Sequence, residues 1–152
     1  MVTQTLFFPL EQDTVRFAAR VSKILGPGDT ILLSGDIGAG KSAFSRAVIR
    51  ARANAEIDVP SPTFTLVQTY DIADVEIWHC DLYRLTHPDD VLELGLDDAF
   101  ETAICLIEWP DRLGDTAPQN ALTLHFKALE NGHSVNFTPN AAWAVRLGDL
   151  ND

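Results

Sequence analysis

Apolar positions recur along this chain at two spacings, and the switches between them lay out its elements. Residues 3–8 read as a first strand. Residues 11–25 then carry Val15, Ala18, Ala19 and Val21 near the helical period. Gly26-Pro27-Gly28-Asp29 is a turn, and residues 30–33 form a short apolar strand. A glycine-rich loop comes next, followed by a helix over about residues 41–53. Residues 64–70 and 75–80 read as strands joined by a polar turn at residues 71–74, an antiparallel hairpin. Pro88 suits the first turn of a helix over residues 88–94, and residues 97–100 form a further short helix. A buried strand occupies residues 104–107, and residues 109–113 a loop or short helix. Residues 121–129 and 134–137 make a second hairpin turning at Glu130-Asn131-Gly132, and no element is assigned from about residue 142. The order β-α-β-α-β-β-α-β-β-β predicts a single three-layer α/β domain over residues 1–152, with a mixed, mainly parallel central sheet and flanking hairpins.

Composition narrows the class without changing that picture. A chain of 152 residues can bury a core without disulfides or metals, and 46% hydrophobic with 22% charged residues argues against disorder. No apolar run approaches the roughly 20 residues of a membrane-spanning helix. No positive side chain precedes the apolar stretch of the first ten residues, so they do not read as a signal peptide. Cys80 and Cys105 sit in strand-like runs without zinc-type spacing, which predicts buried, reduced thiols and a cytoplasmic protein. The net charge of −11 repels nucleic acid at long range and argues against direct, tight tRNA or DNA binding. A basic partner surface and simple solubility both fit that charge.

The chemistry begins at Gly35-Asp36-Ile37-Gly38-Ala39-Gly40-Lys41-Ser42, which fits G-x-x-x-x-G-K-[S/T] without mismatch. Glycines let the backbone curl until successive N–H groups point at phosphate oxygens, and the helix starting at Lys41 adds its positive end. Lys41 supplies a point charge to the β- and γ-phosphates, and the Ser42 hydroxyl is a hard oxygen ligand for Mg²⁺. Such a loop needs a carboxylate at the end of a neighbouring strand. Glu108 is favoured as the metal-side group because its strand is short, wholly apolar and therefore central. Asp81 also ends a strand; it orients water, stands behind the metal ligands, or caps a turn. Ser61, Thr63 and Thr65 lie where a switch loop can reach the γ-phosphate. Neither Lys23 nor Lys127 sits in the Asn/Thr-Lys-x-Asp segment that reads guanine, so adenine, and hence ATP, is favoured.

Several segments together resemble one family. The glycine loop, Ser61-Pro62-Thr63-Phe64-Thr65, His79-Cys80-Asp81-Leu82-Tyr83-Arg84 and Ile107-Glu108-Trp109 are similar, in order and spacing, to the signature of the TsaE (YjeE) family over about residues 11–111. The resemblance implies a P-loop NTPase fold and an ATPase of tRNA threonylcarbamoyladenosine synthesis. That modification lies next to the anticodon of tRNAs reading codons that begin with A. It implies TsaB and TsaD as partners, with tRNA reached only through that complex, and ATP–Mg²⁺ driving or resetting it. Carried over by motif, Lys41 binds phosphate, Ser42 and Glu108 hold Mg²⁺, Asp81 serves hydrolysis, and Thr63 and Thr65 belong to a switch. Glu11 and Thr14 match a segment near the nucleotide, although a plain helix-start role fits them equally. The chain departs from the family pattern at Ser42 (usually Thr), at Cys80 (often Phe) and at His133 (often Arg). His79 reads as a packed or hydrogen-bonding strand residue.

Three functions remain from this reading: a partner-dependent ATPase, a small-molecule kinase, and a module that senses ATP without turning it over. The kinase needs an Arg-rich lid. Arg46, Arg50 and Arg52 lie on or after the loop's helix, and Arg84 and Arg112 stand apart.

Overall fold

The apolar runs that follow residues 29 and 103 lie side by side inside one sheet, and the remaining elements are arranged around them. The computed structural model describes residues 2–148; residues 1 and 149–152, the ends of the expected domain, lie outside the described residues. The elements are β1 (Gln4–Phe8), α1 (Glu11–Ile24), β2 (Thr30–Ser34), α2 (Lys41–Ala53), β3 (Val67–Ile72), β4 (Val75–Asp81), α3 (Asp90–Leu94), α4 (Leu96–Thr102), β5 (Ile104–Glu108), a 3₁₀ segment (Pro110–Thr116), β6 (Leu122–Leu129), β7 (Gly132–Phe137) and α5 (Ala141–Gly148). They form one seven-stranded sheet in the order β1-β7-β6-β2-β5-β4-β3. β4, β5, β2 and β6 pair in parallel, while β3, β7 and β1 join antiparallel. Five strands therefore run one way and β3 and β7 the other, which is the mixed, mainly parallel sheet expected. The two hairpins do not stand off from the sheet; each extends it at one side of the parallel centre.

Alternation along the central strands divides the core between the two faces. Ile31, Leu33, Ile104 and Leu106 meet α1, α2 and α5, together with Phe17, Phe44 and Trp143. Leu32, Cys105 and Ile107 meet Val91, Leu96, Ala99 and Leu113 on the opposite face. Burial on both faces explains why β5 is apolar throughout until its terminal Glu108. Both cysteines are free and buried, as expected. Burial pushes the Cys105 thiol up to about 12 and the Cys80 thiol well above its ordinary value.

The structure corrects the expected pattern at three places. The buried stripe of α1 is Thr14, Phe17, Ala18, Val21 and Ser22, a helical spacing that leaves Val15 about half exposed. Residues 64–66 are not strand. The Leu66 N–H donates to the Pro62 carbonyl at 2.7 Å, Leu66 has φ 67°, and Phe64 is 79% exposed. β3 therefore starts at Val67 and runs on to Ile72, so the hairpin turns on Ala73 and Asp74, both at positive φ.

The segment left unassigned in sequence contains α5. Trp143 is buried, and its indole N–H donates to the Asn120 carbonyl at 2.7 Å. Arg146 grips both Asp29 oxygens, at 3.0 and 2.5 Å, and also donates to the Ile24 carbonyl. Arg146→Ala is expected to cost about 1–2 kcal/mol, because a two-pronged but partly solvated ion pair is lost. Thermal melting should show this as a fall of roughly 3–6 °C. An unchanged melting temperature would mean that α5 docks through its buried Trp143 and Leu147 without help from the ion pair.

Candidate functional site

Parallel pairing brings the C-terminal ends of β2, β5 and β4 together. Leu33 lies opposite Glu108, and Glu108 lies opposite Asp81. The glycine loop leaves β2 at this edge. At Gly35, φ is 133°, and a Cβ would collide with the Phe126 carbonyl oxygen on β6. Only glycine lets the loop turn against that strand. Gly40, at φ 111°, hands the chain into α2.

Lys41 opens α2 and is 5% exposed. Its Nζ donates to the Gly35 carbonyl at 2.5 Å and lies 3.7 Å from the centre of the Trp109 ring. Burial lowers its pKa from the ordinary 10.5, while Glu108, Asp81, Asp36 and Asp111 pull it back up. A cation held this way is short of water and gains strongly from an incoming anion.

Glu108 is 2% exposed, and both of its oxygens are engaged. The Ser42 hydroxyl donates to Oε1 at 2.9 Å, and His79 Nε2 lies 2.9 Å from Oε2. Asp81 faces the same region with a different set of partners. Its Oδ2 accepts from the Thr63 hydroxyl at 3.3 Å, and its Oδ1 accepts from the Tyr83 N–H at 3.1 Å. Asp81 thus holds the turn that follows β4 and also Thr63 of the loop before β3. Ser61 and Thr63 are hydrogen-bonded to each other at 3.0 Å.

A cleft of about 730 Å³ opens over these groups. Ile37, Gly38, Gly40, Lys41 and Ser42 of the loop line it, with Ser61, Thr63, Asp81 and Glu108. Glu11, Thr14 and His133 line it as well. The His133 ring lies 3.3 Å from the Gly38 carbonyl, so the β6–β7 hairpin touches the loop. At the start of α1 the capping contact is made by Asp13, which accepts the Leu10 N–H at 2.9 Å, and Glu11 shares that acidic first turn. Gly35, Asp36 and Ala39 shape the loop from outside the lining; the Ala39 N–H closes a turn onto the Asp36 carbonyl at 3.1 Å. Thr65, expected near the γ-phosphate, lies outside the cleft lining, and its hydroxyl accepts from Gln68 at 3.1 Å. The turn at residues 62–66 carries it away.

Sequence reasoning placed none of Tyr83, Trp109 and Arg46 at the nucleotide, yet all three line the cleft. Tyr83 and Trp109 pack with ring centroids 4.9 Å apart, and the Arg112 guanidinium lies 5.9 Å from the Tyr83 ring. Lys41, Trp109, Tyr83 and Arg112 therefore form one continuous chain of cation–ring and ring–ring contacts. Trp109 has φ 59°, a rare conformation for a bulky side chain, and this turns the indole back over the lysine. The available signal was an aromatic residue close behind each strand-ending carboxylate: Tyr83 two residues beyond Asp81, and Trp109 next to Glu108.

Comparison with known proteins places the chain in a family. The family model described as "Threonylcarbamoyl adenosine biosynthesis protein TsaE" matches residues 8–135. The tRNA threonylcarbamoyladenosine biosynthesis protein TsaE of Rickettsia bellii is 37% identical over 121 residues, covering 80% of this chain and 84% of that protein. The protein of the same name from Haemophilus influenzae is 33% identical over 141 residues, covering 89% of each. A crystal structure of Bacillus subtilis YdiB superposes with a TM-score of 0.77 at 25% identity, covering 99% of this chain and 93% of the other. The match runs from the last residue of β1 into β7 and so takes in the loop, both strand-end carboxylates and the hairpin that closes on them; the chain belongs to the TsaE family of tRNA threonylcarbamoyladenosine biosynthesis proteins.

Proposed function

We propose that this chain binds ATP with Mg²⁺ and hydrolyses it as a component of the threonylcarbamoyladenosine machinery, working with TsaB and TsaD. The observation that carries this reading is the 2.9 Å contact between Ser42 and Glu108, with Lys41 beside them at the end of parallel strands. A hydroxyl and one buried carboxylate are hard oxygen donors that would suit Mg²⁺, an ion that takes few protein ligands and pairs them with phosphate and water. Among the described residues no three His, Cys, Asp or Glu side chains form a metal cage, and this donor set does not need one. Bound there, Mg²⁺ would neutralise charge on the phosphates.

The chain's own groups do the rest. Loop N–H groups and Lys41 hold the phosphates and stabilise negative charge as the bond from the γ-phosphorus to its bridging oxygen breaks. Water attacks that phosphorus, and ADP and inorganic phosphate leave. Asp81, tied to Thr63, is placed to orient the water or to register the γ-phosphate through the switch loop. The hydrogen bond binding Thr63 to Asp81 also gives the loop an arrangement that the nucleotide can alter.

This reading gives the negative surface a basic protein partner and leaves the tRNA to the complex. It also places the protein in the cytoplasm. No helix among the described residues is long and apolar enough to cross a membrane. Phosphate release is expected to be slow for the isolated chain and to rise when TsaB and TsaD are added. Glu108→Ala should lose the Mg²⁺-dependent part of that activity while folding normally. Absence of both stimulation and a complex overturns the partner assignment. A phosphorylated small-molecule product would favour a kinase, and tight ATP binding without phosphate release would favour a sensing module.

A further inference from the structure

His79 is a buried group for which the proposed chemistry has no use. It is 1% exposed, lies inside β4 and shares the α2-facing side of the sheet with Asp81 and Glu108. Across the parallel pair it lies opposite Leu106, two residues before Glu108, so the ring sits beneath the carboxylate. Its Nε2 meets Glu108 Oε2 at 2.9 Å, while its Nδ1 is buried with no partner among the described residues. The ring therefore has one hydrogen-bonding task. A carboxylate can only accept, so the ring's proton on this side is on Nε2.

We propose that His79 is a positioning residue that pins Glu108 Oε2 and so presents Oε1 to the cation of the nucleotide site. The proposal rests on the reading of Glu108 as the cation-side carboxylate. Oε1 is the oxygen that Ser42 engages, so the pinned carboxylate and the hydroxyl face each other. Without the ring, Oε2 is a buried acceptor with no donor, and nothing on that side stops the carboxylate from turning. A carboxylate that has turned no longer presents Oε1 beside the Ser42 hydroxyl, and this weakens the cation site. Outer partners of metal-binding carboxylates act in this way, and their removal typically costs about 10–100-fold in metal affinity.

The test uses the full chain and its His79→Leu, His79→Asn and His79→Gln variants. ADP binding is measured by calorimetry, first in EDTA and then across a Mg²⁺ series, with thermal melting alongside. A Gln amide nitrogen reaches about as far as Nε2, and an Asn amide does not. Leu and Asn are expected to raise the Mg²⁺ concentration needed for tight ADP binding by about 10–100-fold, leaving affinity in EDTA within about twofold. Gln should restore most of the response. If Leu unsettles the fold, the Asn–Gln contrast still decides. A native response shared by Leu and Asn overturns the proposal alone. Equal losses in EDTA and in Mg²⁺ overturn it in favour of a packing role. If ADP affinity in the native chain ignores Mg²⁺, the reading of Glu108 fails and the proposal fails with it.

Discussion

Lys41→Ala is expected to lose about 3 kcal/mol of ATP affinity, roughly 100-fold, because charge-assisted contacts to phosphate are among the strongest that a side chain makes. The structure supplies the reason that the loss should be this large. The ammonium is 5% exposed, and the Gly35 carbonyl and Trp109 hold it in place before any anion arrives. Little further ordering is needed on binding. Folding should suffer much less. Removing the ammonium relieves the cost of burying it but leaves Glu108 and Asp81 without their cation, and these effects oppose each other.

The same side chain predicts a pH dependence. Burial lowers the Lys41 pKa in the free protein, and bound phosphate would raise it. The complex then takes up more protons than the free protein. Affinity is full below the free-state value and falls as pH rises through it, earlier than an ordinary lysine at 10.5 would allow. Calorimetry of native protein and Lys41→Ala across neutral and alkaline pH measures both effects. Normal binding by the variant would overturn the phosphate-site assignment.

Gly35→Ala carries the second large effect, and it acts through the backbone. An added Cβ would collide with the Phe126 oxygen and come within 3.1 Å of its carbonyl carbon, at a φ of 133°. The opposing atoms are backbone of β6, which is held between β2 and β7 and cannot step aside cheaply. Strain of this kind costs about 3 kcal/mol or more, which lowers melting by roughly 6–12 °C. Nucleotide binding should fail even where the fold survives, because the loop's N–H groups swing off the phosphates. Gly38→Ala is the useful contrast. Its Cβ meets nothing within 4 Å and carries only the strain of φ 82°. If both variants melt and bind alike, the clash with β6 is not what constrains the loop.

Some of this protein could be read directly along the chain, because the information is local. The glycine loop is eight consecutive residues whose φ requirements, donor groups and charge all follow from residue type. Glu108 stood out because it ends an otherwise apolar run, and a strand buried on both faces places its one polar end at the sheet's edge. Asp81 also ends its strand, and its possible roles with water, behind the metal ligands or as a turn cap were all visible together. The β-α-β order around these residues, with the wider family signature, was enough to give the fold class.

Other features depend on which strands become neighbours, and periodicity does not encode that. His79 reads in sequence as a packed strand residue, and only the β4–β5 register puts Nε2 beside Glu108. Trp109 reaches Lys41 because its backbone takes a left-handed conformation after β5, which a bulky residue does not announce. Residues 64–66 have strand-like composition, yet the Leu66-to-Pro62 hydrogen bond turns them out and takes Thr65 away from the cleft. Val15 likewise had to yield to Phe17, because the direction of the α1 stripe is set by the helix and strands it packs against. Residue order thus determined the loop, its carboxylates and the class of fold, whose causes lie within a few bonds of one another. Tertiary structure decided which groups meet across the cleft, because pairing register and side-chain direction arise only when distant segments exclude water together.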